Sequence, residues 1–213
     1  MGVTIFYKGK LDDLKKLPQL KEELSDIAEW MGWKATRVED DKPPTGQAPH
    51  FARDGDGLEV EGDLGLQGIV LDPGEGCESL AFLFDRKGNL RSAFAMMMIA
   101  EGTMGPEYES IFCKTQFAGA ETHIRIVGVL KYVAKRFIRN LDVKDDSGYW
   151  DTGDRAELER RIGFINDQLD RLERKLTSPR VADYANATAD ELVELIAQLF
   201  QENVDASKRE RRR

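Results

Sequence analysis

Apolar residues recur with a helical period in two stretches of the first part of the chain. From Leu20 to Met31 they stand four, three and four positions apart, and a similar stripe follows further along the sequence. Such spacing places apolar side chains on one face of a helix. The pattern predicts helices over 18–31 and 120–138, the first of them ended by Gly32.

Short apolar runs rich in β-branched and aromatic residues surround these helices and predict a sheet. The first run is apolar throughout, which is typical of a strand covered on both faces, and a parallel pairing with the second would need a right-handed crossover. The third to fifth runs predict an antiparallel meander, although the Met and Ala of the fifth also favour helix. The runs are VTIFY, WKATRV, LQGIVLD, SLAFLFD, LRSAFAMMMIA, SIFCKTQF and NLDVKDD.

Two segments interrupt this pattern. Residues 40–57 are rich in Pro, Gly and Asp, and we expect a long surface loop there, either mobile or acting as a lid. The stretch FDRKGNL is typical of a tight hairpin turn, in which Gly88 and Asn89 can take positive φ.

The C-terminal part follows a different pattern, that of amphipathic helices. Asp154 with Glu157 is typical of a capping box, and apolar residues then repeat every four and three positions up to Leu176, which indicates a coiled-coil seam. A second capping box at Thr188 precedes another amphipathic stretch.

The chain of 213 residues can bury one core of ordinary size. We therefore predict an α+β domain over 1–150, with a mixed, mostly antiparallel sheet and two packed helices. A C-terminal helical appendage with a basic tail follows over 151–213.

Composition and charge disfavour several classes of function. No apolar run is long enough to cross a bilayer, and the N-terminus lacks a signal-peptide pattern, so we expect a cytoplasmic protein with no membrane partner. The net charge of −8 argues against broad nucleic-acid binding. The exception is the basic tail, whose cations are Lys208, Arg209, Arg211, Arg212 and Arg213.

The sequence carries no motif for a cofactor or metal, and we expect neither. The Gly-x-Gly at 74–76 lies among acidic residues without a following helix, and 54–63 fails the EF-hand pattern. The cysteines and histidines lack zinc spacing. We interpret Cys77 and Cys113 as free thiols; the alternative is a thiolate nucleophile paired with His123.

The stretch KTQFAGAETH, which joins a strand to the second helix, is the candidate catalytic site. His123 falls in the first helical turn, where the helix dipole disfavours a charged ring. A neutral His123 can act as base or electrophile, with Lys114 and Gln116 orienting an anionic or carbonyl group and Glu78 nearby. The alternative is a half-buried histidine that only stabilises the fold.

Four further residues are candidate ligand-binding residues. Thr115 precedes a helix N-terminus, where anions are favoured. Tyr149, Trp150 and Asp151 combine aromatic rings with a carboxylate, as in small-molecule or partner pockets. The alternative is a turn whose aromatic side chains cover one end of the core.

Three stretches occur in a fixed order: IFYKGKL before a helix and MGW, KTQFAG before a histidine, and YWDTGD before another helix. Together they resemble an uncharacterised family of bacterial proteins, over roughly residues 3–175. The resemblance implies one shared domain and no particular activity.

The leading hypothesis for function is a cytoplasmic binding or regulatory module that self-associates through its C-terminal helices. It rests on the heptad seam and on the lack of a strong catalytic motif. It implies a homo-oligomer and admits a further protein partner. The alternatives are a hydrolase-like enzyme with a pocket around His123, Lys114 and Gln116, and binding of nucleic acid or an acidic partner by the basic tail.

Overall fold

Helices and antiparallel strands make up the fold, which is therefore α+β as predicted. A computed structural model of the chain describes residues 3–39, 46–47, 50–54, 57–105 and 110–176. The described residues fall into two units, one that ends at Glu159 and one that begins at Arg160. All strands and the first four helices belong to the first unit.

The strands are β1 (Thr4–Lys8), β2 (Lys34–Val38), β3 (His50–Asp54), β4 (Gly57–Glu61), β5 (Gln67–Asp72), β6 (Leu80–Phe84), β7 (Ile111–Lys114) and β8 (Asp142–Asp145). The helices are α1 (Leu17–Met31), α2 (Ala93–Ala100), α3 (Gly119–Arg136), α4 (Tyr149–Thr152) and α5 (Arg155–Leu176), and a 3₁₀ turn at Leu14–Lys16 leads into α1.

Every strand pair among the described residues is antiparallel. The first sheet has the order β7-β1-β8 and the second β2-β5-β6, while β3 and β4 form a separate hairpin. β1 and β2 are thus not parallel neighbours, because they lie in different sheets. In the first sheet Phe6 stands opposite Phe112 on one side and Lys144 on the other.

One core joins both sheets with α1 and α3. Leu20, Leu24 and Ala28 of α1 are fully buried, and Gly32 ends the helix in the left-handed conformation, as predicted. Tyr7 connects the two sheets: its hydroxyl donates to the Ala81 carbonyl oxygen at 2.8 Å and accepts from the Ala81 N–H at 3.0 Å.

The first strand is covered on one face only, which corrects the prediction for VTIFY. Its inner side chains Ile5 and Tyr7 are buried, whereas Phe6 is half-buried and Lys8 exposed on the outer face. An aromatic residue on the solvent side makes the run look continuously apolar, so the pattern could not distinguish one covered face from two.

The predicted strand LRSAFAMMMIA is wrong, because its second part forms α2. Met and Ala have high helix propensity, and Ser92 caps the helix by accepting from the Ala95 N–H at 3.2 Å. The turn before it is confirmed, because Gly88 has a φ of +82° and Phe84 forms a β-bridge with Leu90, although Asn89 does not take a positive φ.

The expected loop over 40–57 is partly wrong, because β3 and the start of β4 occupy its second half and pair from His50 to Glu61. Its other residues lie largely outside the described ones. The predicted helices over 120–138 and 154–176 are confirmed as α3 and α5, whereas the second capping box and the basic tail lie outside the described residues.

Candidate functional site

A sharp turn between β7 and α3 brings Thr115 next to His123. The Ala118 N–H donates to the Thr115 carbonyl oxygen at 3.1 Å, and Gly119 takes a φ of +81° where α3 begins. The Thr115 N–H donates to the Val3 carbonyl oxygen at 3.0 Å, which ties this turn to the start of β1. The candidate stretch is thus a strand that runs into a helix.

Both ring nitrogens of His123 have polar partners. Thr115 Oγ1 lies 2.8 Å from Nδ1. On the other side of the ring, Asp145 Oδ2 lies 3.1 Å and Ser147 Oγ 3.2 Å from Nε2. The end of β7, the start of α3 and the end of β8 therefore each contribute to one hydrogen-bonded group, which we call the histidine cluster: Thr115, His123, Asp145 and Ser147.

Asp145 accepts hydrogen bonds on both carboxylate oxygens. Ser147 donates to Oδ1 from its hydroxyl at 2.7 Å and its backbone N–H at 2.8 Å, and the Trp150 N–H donates to Oδ2 at 2.9 Å. Burial raises the pKa of Asp145, but hydrogen bonds from His123 and Ser147 outweigh it and lower the pKa from 3.8 to about 2. Asp145 is therefore ionised at neutral pH.

The ionised Asp145 carboxylate determines which ring nitrogen of His123 carries a hydrogen. An ionised carboxylate only accepts hydrogen bonds, so Nε2 of His123 carries a hydrogen and donates it to Asp145. In the neutral ring Nδ1 then accepts the Thr115 hydroxyl hydrogen. The order hydroxyl, imidazole, carboxylate is the one by which serine hydrolases activate a nucleophile.

The histidine cluster is closed to solvent, however. Thr115, His123 and the Asp145 side chain have no exposed surface, and Ser147 is 3% exposed. The Tyr149 ring packs edge-on against the imidazole, with 6.0 Å between ring centroids. A substrate therefore has no path to Thr115 Oγ1, and the cluster acts as a buried polar connection between elements.

The structure places the other candidate residues of this region beside the cluster but outside it. The Lys114 N–H donates to Glu78 Oε2 at 2.8 Å, and the Lys114 ammonium lies 5.4 Å from the centroid of the exposed Phe117 ring. Gln116 is buried. Hence Lys114 and Glu78 contact each other rather than His123.

The aromatic candidates lie against the cluster on its other side. Tyr149 and Trp150 are half-buried in the short helix α4 and pack on the core, while Asp151 is exposed. Lys131 of α3 lies 5.4 Å from the centroid of the Trp150 ring. The stretch therefore forms a turn whose aromatic side chains cover one end of the core.

Sequence reasoning identified Thr115 and His123 but gave no role to Ser147 and treated Asp145 as one carboxylate among several. One local signal was available: Asp followed by Ser two positions later is typical of a turn in which the carboxylate accepts the later N–H. The long-range contact between Asp145 and His123 depends on the pairing of β8 with β1, which the sequence does not specify.

The cysteines do not pair with His123. The Sγ atoms of Cys77 and Cys113 lie 3.9 Å apart, and both lie close to the Glu78 carbonyl oxygen, at 3.3 and 3.1 Å. Cys77 is half-buried and Cys113 fully buried. Among the described residues no group of three or more His, Cys, Asp or Glu is arranged to hold a metal ion.

An open cleft of about 430 Å³ lies on the outer face of the first sheet, along one side of α2. Aromatic side chains form much of its wall, and Phe94 and Phe112 are 47% and 42% exposed. The charged groups at its edge are Lys8, Lys144 and Asp142, of which Lys8 and Asp142 form an ion pair at 3.4 Å. We call this the aromatic cleft.

No family model, curated protein or solved structure matches this chain. Within the part of the chain that the structure describes, no helix has the length and apolar character needed to span a bilayer.

Proposed function

We propose that the protein is a binding module that self-associates through α5. The observation that carries the proposal is the continuity of this helix over Arg155–Leu176, which keeps the whole apolar seam of the sequence on one helix. The seam repeats at intervals of four and three residues, the spacing of coiled-coil helices. A cytoplasmic location and a kinship with the resembled bacterial family belong to the same proposal.

The start of the seam is fixed in the first unit. Asp154 accepts from the Glu157 N–H at 3.0 Å and so caps the helix, and Leu158 is fully buried. The first turn of α5 is thereby fixed, and a helix that is already formed meets a second copy without the entropy loss of ordering a free segment.

Binding is favoured over hydrolysis because the residues with suitable chemistry are covered. A nucleophile must contact its substrate, and Thr115 and His123 have no exposed surface. A hydrolytic role for His123, Lys114 and Gln116 thus remains a prediction of the sequence that the burial of the ring argues against.

Self-association can be tested by changing seam and off-seam positions with the same residue type. The seam variant carries Leu169→Gln and Leu172→Gln, and the control carries Asp167→Gln and Arg174→Gln on the opposite face of the helical repeat. Sedimentation equilibrium should give at least twice the chain mass of 24.1 kDa for the wild type and the control. The seam variant should dissociate with a Kd raised at least about 100-fold.

A wild-type chain that stays monomeric at high micromolar concentration would contradict the proposal. So would equal dissociation of the seam and control variants, because polar substitution on any face would then have the same effect. Far-UV circular dichroism of each variant separates loss of association from loss of the fold.

A second candidate function, binding of a small aromatic anion, is favoured by the aromatic cleft. Its volume of about 430 Å³ is in the range of small-molecule sites, roughly 300–1,000 Å³. Phe6 and Phe112 supply stacking surface, and Lys144 has no ion-pair partner among the described residues. An apolar ring with an acidic group matches both features.

Saturation-transfer NMR with naphthalene-1-sulfonate as the probe tests this second function. We expect binding that weakens at least about fivefold in Phe112→Ala and in Lys144→Gln. The matched controls are Phe117→Ala and Lys87→Gln, which change exposed residues outside the cleft. Equal weakening in the controls, or no binding to the wild type, would refute a specific site.

A further inference from the structure

The two cysteines of the chain form a close pair at a place where the sequence gives no hint of one. Cys113 lies in β7 and points into the core, and Cys77 lies in the loop 73–79 that leads into β6. Their sulfur atoms are 3.9 Å apart. These are the only cysteines in the sequence, so no other thiol competes for either of them.

The pair is held in place by bonds between the loop and the strand. The Glu78 N–H donates to the Lys114 carbonyl oxygen at 3.0 Å, and the Lys114 N–H donates to Glu78 Oε2 at 2.8 Å. The Glu78 carbonyl oxygen lies near both thiols. The loop therefore stays beside β7 and keeps the two sulfur atoms together in the reduced protein.

We propose that Cys77 and Cys113 are a reversible dithiol–disulfide site that reacts with hydroperoxides. Cys77, with part of its surface exposed, is the thiol that meets the oxidant. Cys113, fully buried behind it, is the thiol that resolves the first product. The assignment of roles follows from exposure, because Cys77 is half-buried whereas Cys113 has no exposed surface.

The chemistry balances with one hydroperoxide for each disulfide formed. The Cys77 thiolate attacks one peroxide oxygen, the O–O bond breaks, and the leaving oxygen takes up a proton to give water or an alcohol. Cys77 is now a sulfenic acid. The Cys113 sulfur then attacks the Cys77 sulfur, the S–O bond breaks, and the hydroxyl leaves as water with the proton of Cys113.

The ionisation of the two thiols agrees with these roles. The hydrogen bond with Cys113 lowers the pKa of Cys77, and the same bond together with burial raises the pKa of Cys113. Cys77 is therefore the thiol that ionises first.

Disulfide formation requires a short movement. A bonded pair has its sulfur atoms about 2.05 Å apart, so the sulfurs must approach by about 2 Å from 3.9 Å. The loop 73–79 has no regular secondary structure, and rotation of the Cys77 side chain about its Cα–Cβ bond contributes to the approach. Closure links the loop covalently to the strand that precedes Thr115.

Intact mass spectrometry of the full chain tests the proposal directly. Reduced protein is treated with a small excess of hydrogen peroxide, then denatured in the presence of iodoacetamide, which alkylates free thiols. The mass of the intact chain is then measured. The wild type should yield a monomer about 2 Da lighter than the reduced chain that takes up no alkyl group, and dithiothreitol should restore both alkylation sites. With two cysteines in the chain, this product has one assignment.

Serine variants separate the two roles. Cys113→Ser should accumulate a sulfenic acid at Cys77 that dimedone traps, whereas Cys77→Ser should lose its remaining thiol at least about tenfold more slowly than the wild type forms disulfide. Circular dichroism checks that each variant is folded. If a variant is unfolded, the intact-mass result for the wild type alone tests the proposal.

Several outcomes would overturn the proposal. In the wild type they are a disulfide between two chains, or oxidation of Cys77 beyond the sulfenic acid while Cys113 still alkylates. In Cys77→Ser it is loss of the remaining thiol at the rate of the wild type.

Discussion

At the scale of single residues, the Asp145 carboxylate joins α3 to the turn after β8. Its two oxygens accept from His123, Ser147 and Trp150, so the negative charge is solvated by the protein instead of by water. A buried charge is stable only when its hydrogen bonds are complete. Asp145 therefore connects the pH dependence of stability to the geometry of the histidine cluster.

We expect Asp145→Asn to lower the free energy of unfolding by about 2 kcal/mol at neutral pH. The folded-state pKa of Asp145 is about 2 against 3.8 when unfolded, so the wild-type carboxylate stabilises the fold above about pH 4. That contribution is lost as the pH falls from about 4 through 2. The difference between wild type and variant should therefore shrink over the same interval.

Urea denaturation at a series of pH values measures this difference. Asp151→Asn is the matched control, because Asp151 is exposed and its replacement should change stability by less than about 0.5 kcal/mol. A gap between wild type and Asp145→Asn that stays constant from pH 6 to pH 2 would refute a contribution from ionised Asp145.

The helical position of His123 could be predicted from sequence because it depends on local periodicity. Its partner could not, because Asp145 is 22 residues away and reaches the ring only after β8 pairs with β1. The same limit applies to Cys77 and Cys113, 36 residues apart, whose proximity depends on the loop that docks on β7.

At the scale of elements, the packing of β5 on β6 depends on one glycine. Gly68 has a φ of +154°, and a Cβ atom there would lie 1.9 Å from the Phe82 carbonyl oxygen of the neighbouring strand. No real contact is that short, so any side chain must push the strands apart. The sequence QGIVLD shows a glycine inside a strand, which indicates a close backbone approach but does not identify the neighbour.

We expect Gly68→Ala to destabilise the protein by at least about 3 kcal/mol, because the Phe82 carbonyl group in β6 of the second sheet must move. Gly128→Ala is the matched control in the exposed part of α3, where a Cβ meets nothing within 4 Å and the change should stabilise by up to about 1 kcal/mol. Thermal unfolding of both variants provides the comparison. Effects of equal sign and size would contradict the steric explanation.

The residues of helix α2 show why this segment was predicted as a strand. Its sequence AFAMMMIA is apolar on every face, so neither a period of two nor one of 3.6 is visible. The high helix propensity of Met and Ala and the cap at Ser92 favour the helix. Phe94 and Ala95 of this helix line the aromatic cleft, together with Met104 beyond its end, an adaptable side chain of the kind found at many binding sites.

At the scale of the whole molecule, the sequence predicted the class and most element bounds but not the division into two sheets. β1, β2 and β5 to β8 were recognisable from their own residues, whereas β3 and β4 were not predicted. Strand order depends on contacts between distant segments such as Tyr7 with Ala81. The proposed functions are likewise distributed over the fold: the seam lies on α5, the cleft on the first sheet, and the thiol pair between β7 and the loop 73–79. None of them uses the histidine cluster as a reacting group.

The Tyr7 hydroxyl also has a consequence for fibril growth. β6 is an edge strand of the second sheet, and an edge strand with free N–H and carbonyl groups can add a strand from another molecule. Tyr7 occupies both of these groups at Ala81, so it opposes such addition near the start of β6. The Arg91 N–H likewise donates to the Leu83 carbonyl oxygen at 2.9 Å, so the phenolic oxygen and this N–H together leave fewer backbone groups of β6 open to another strand.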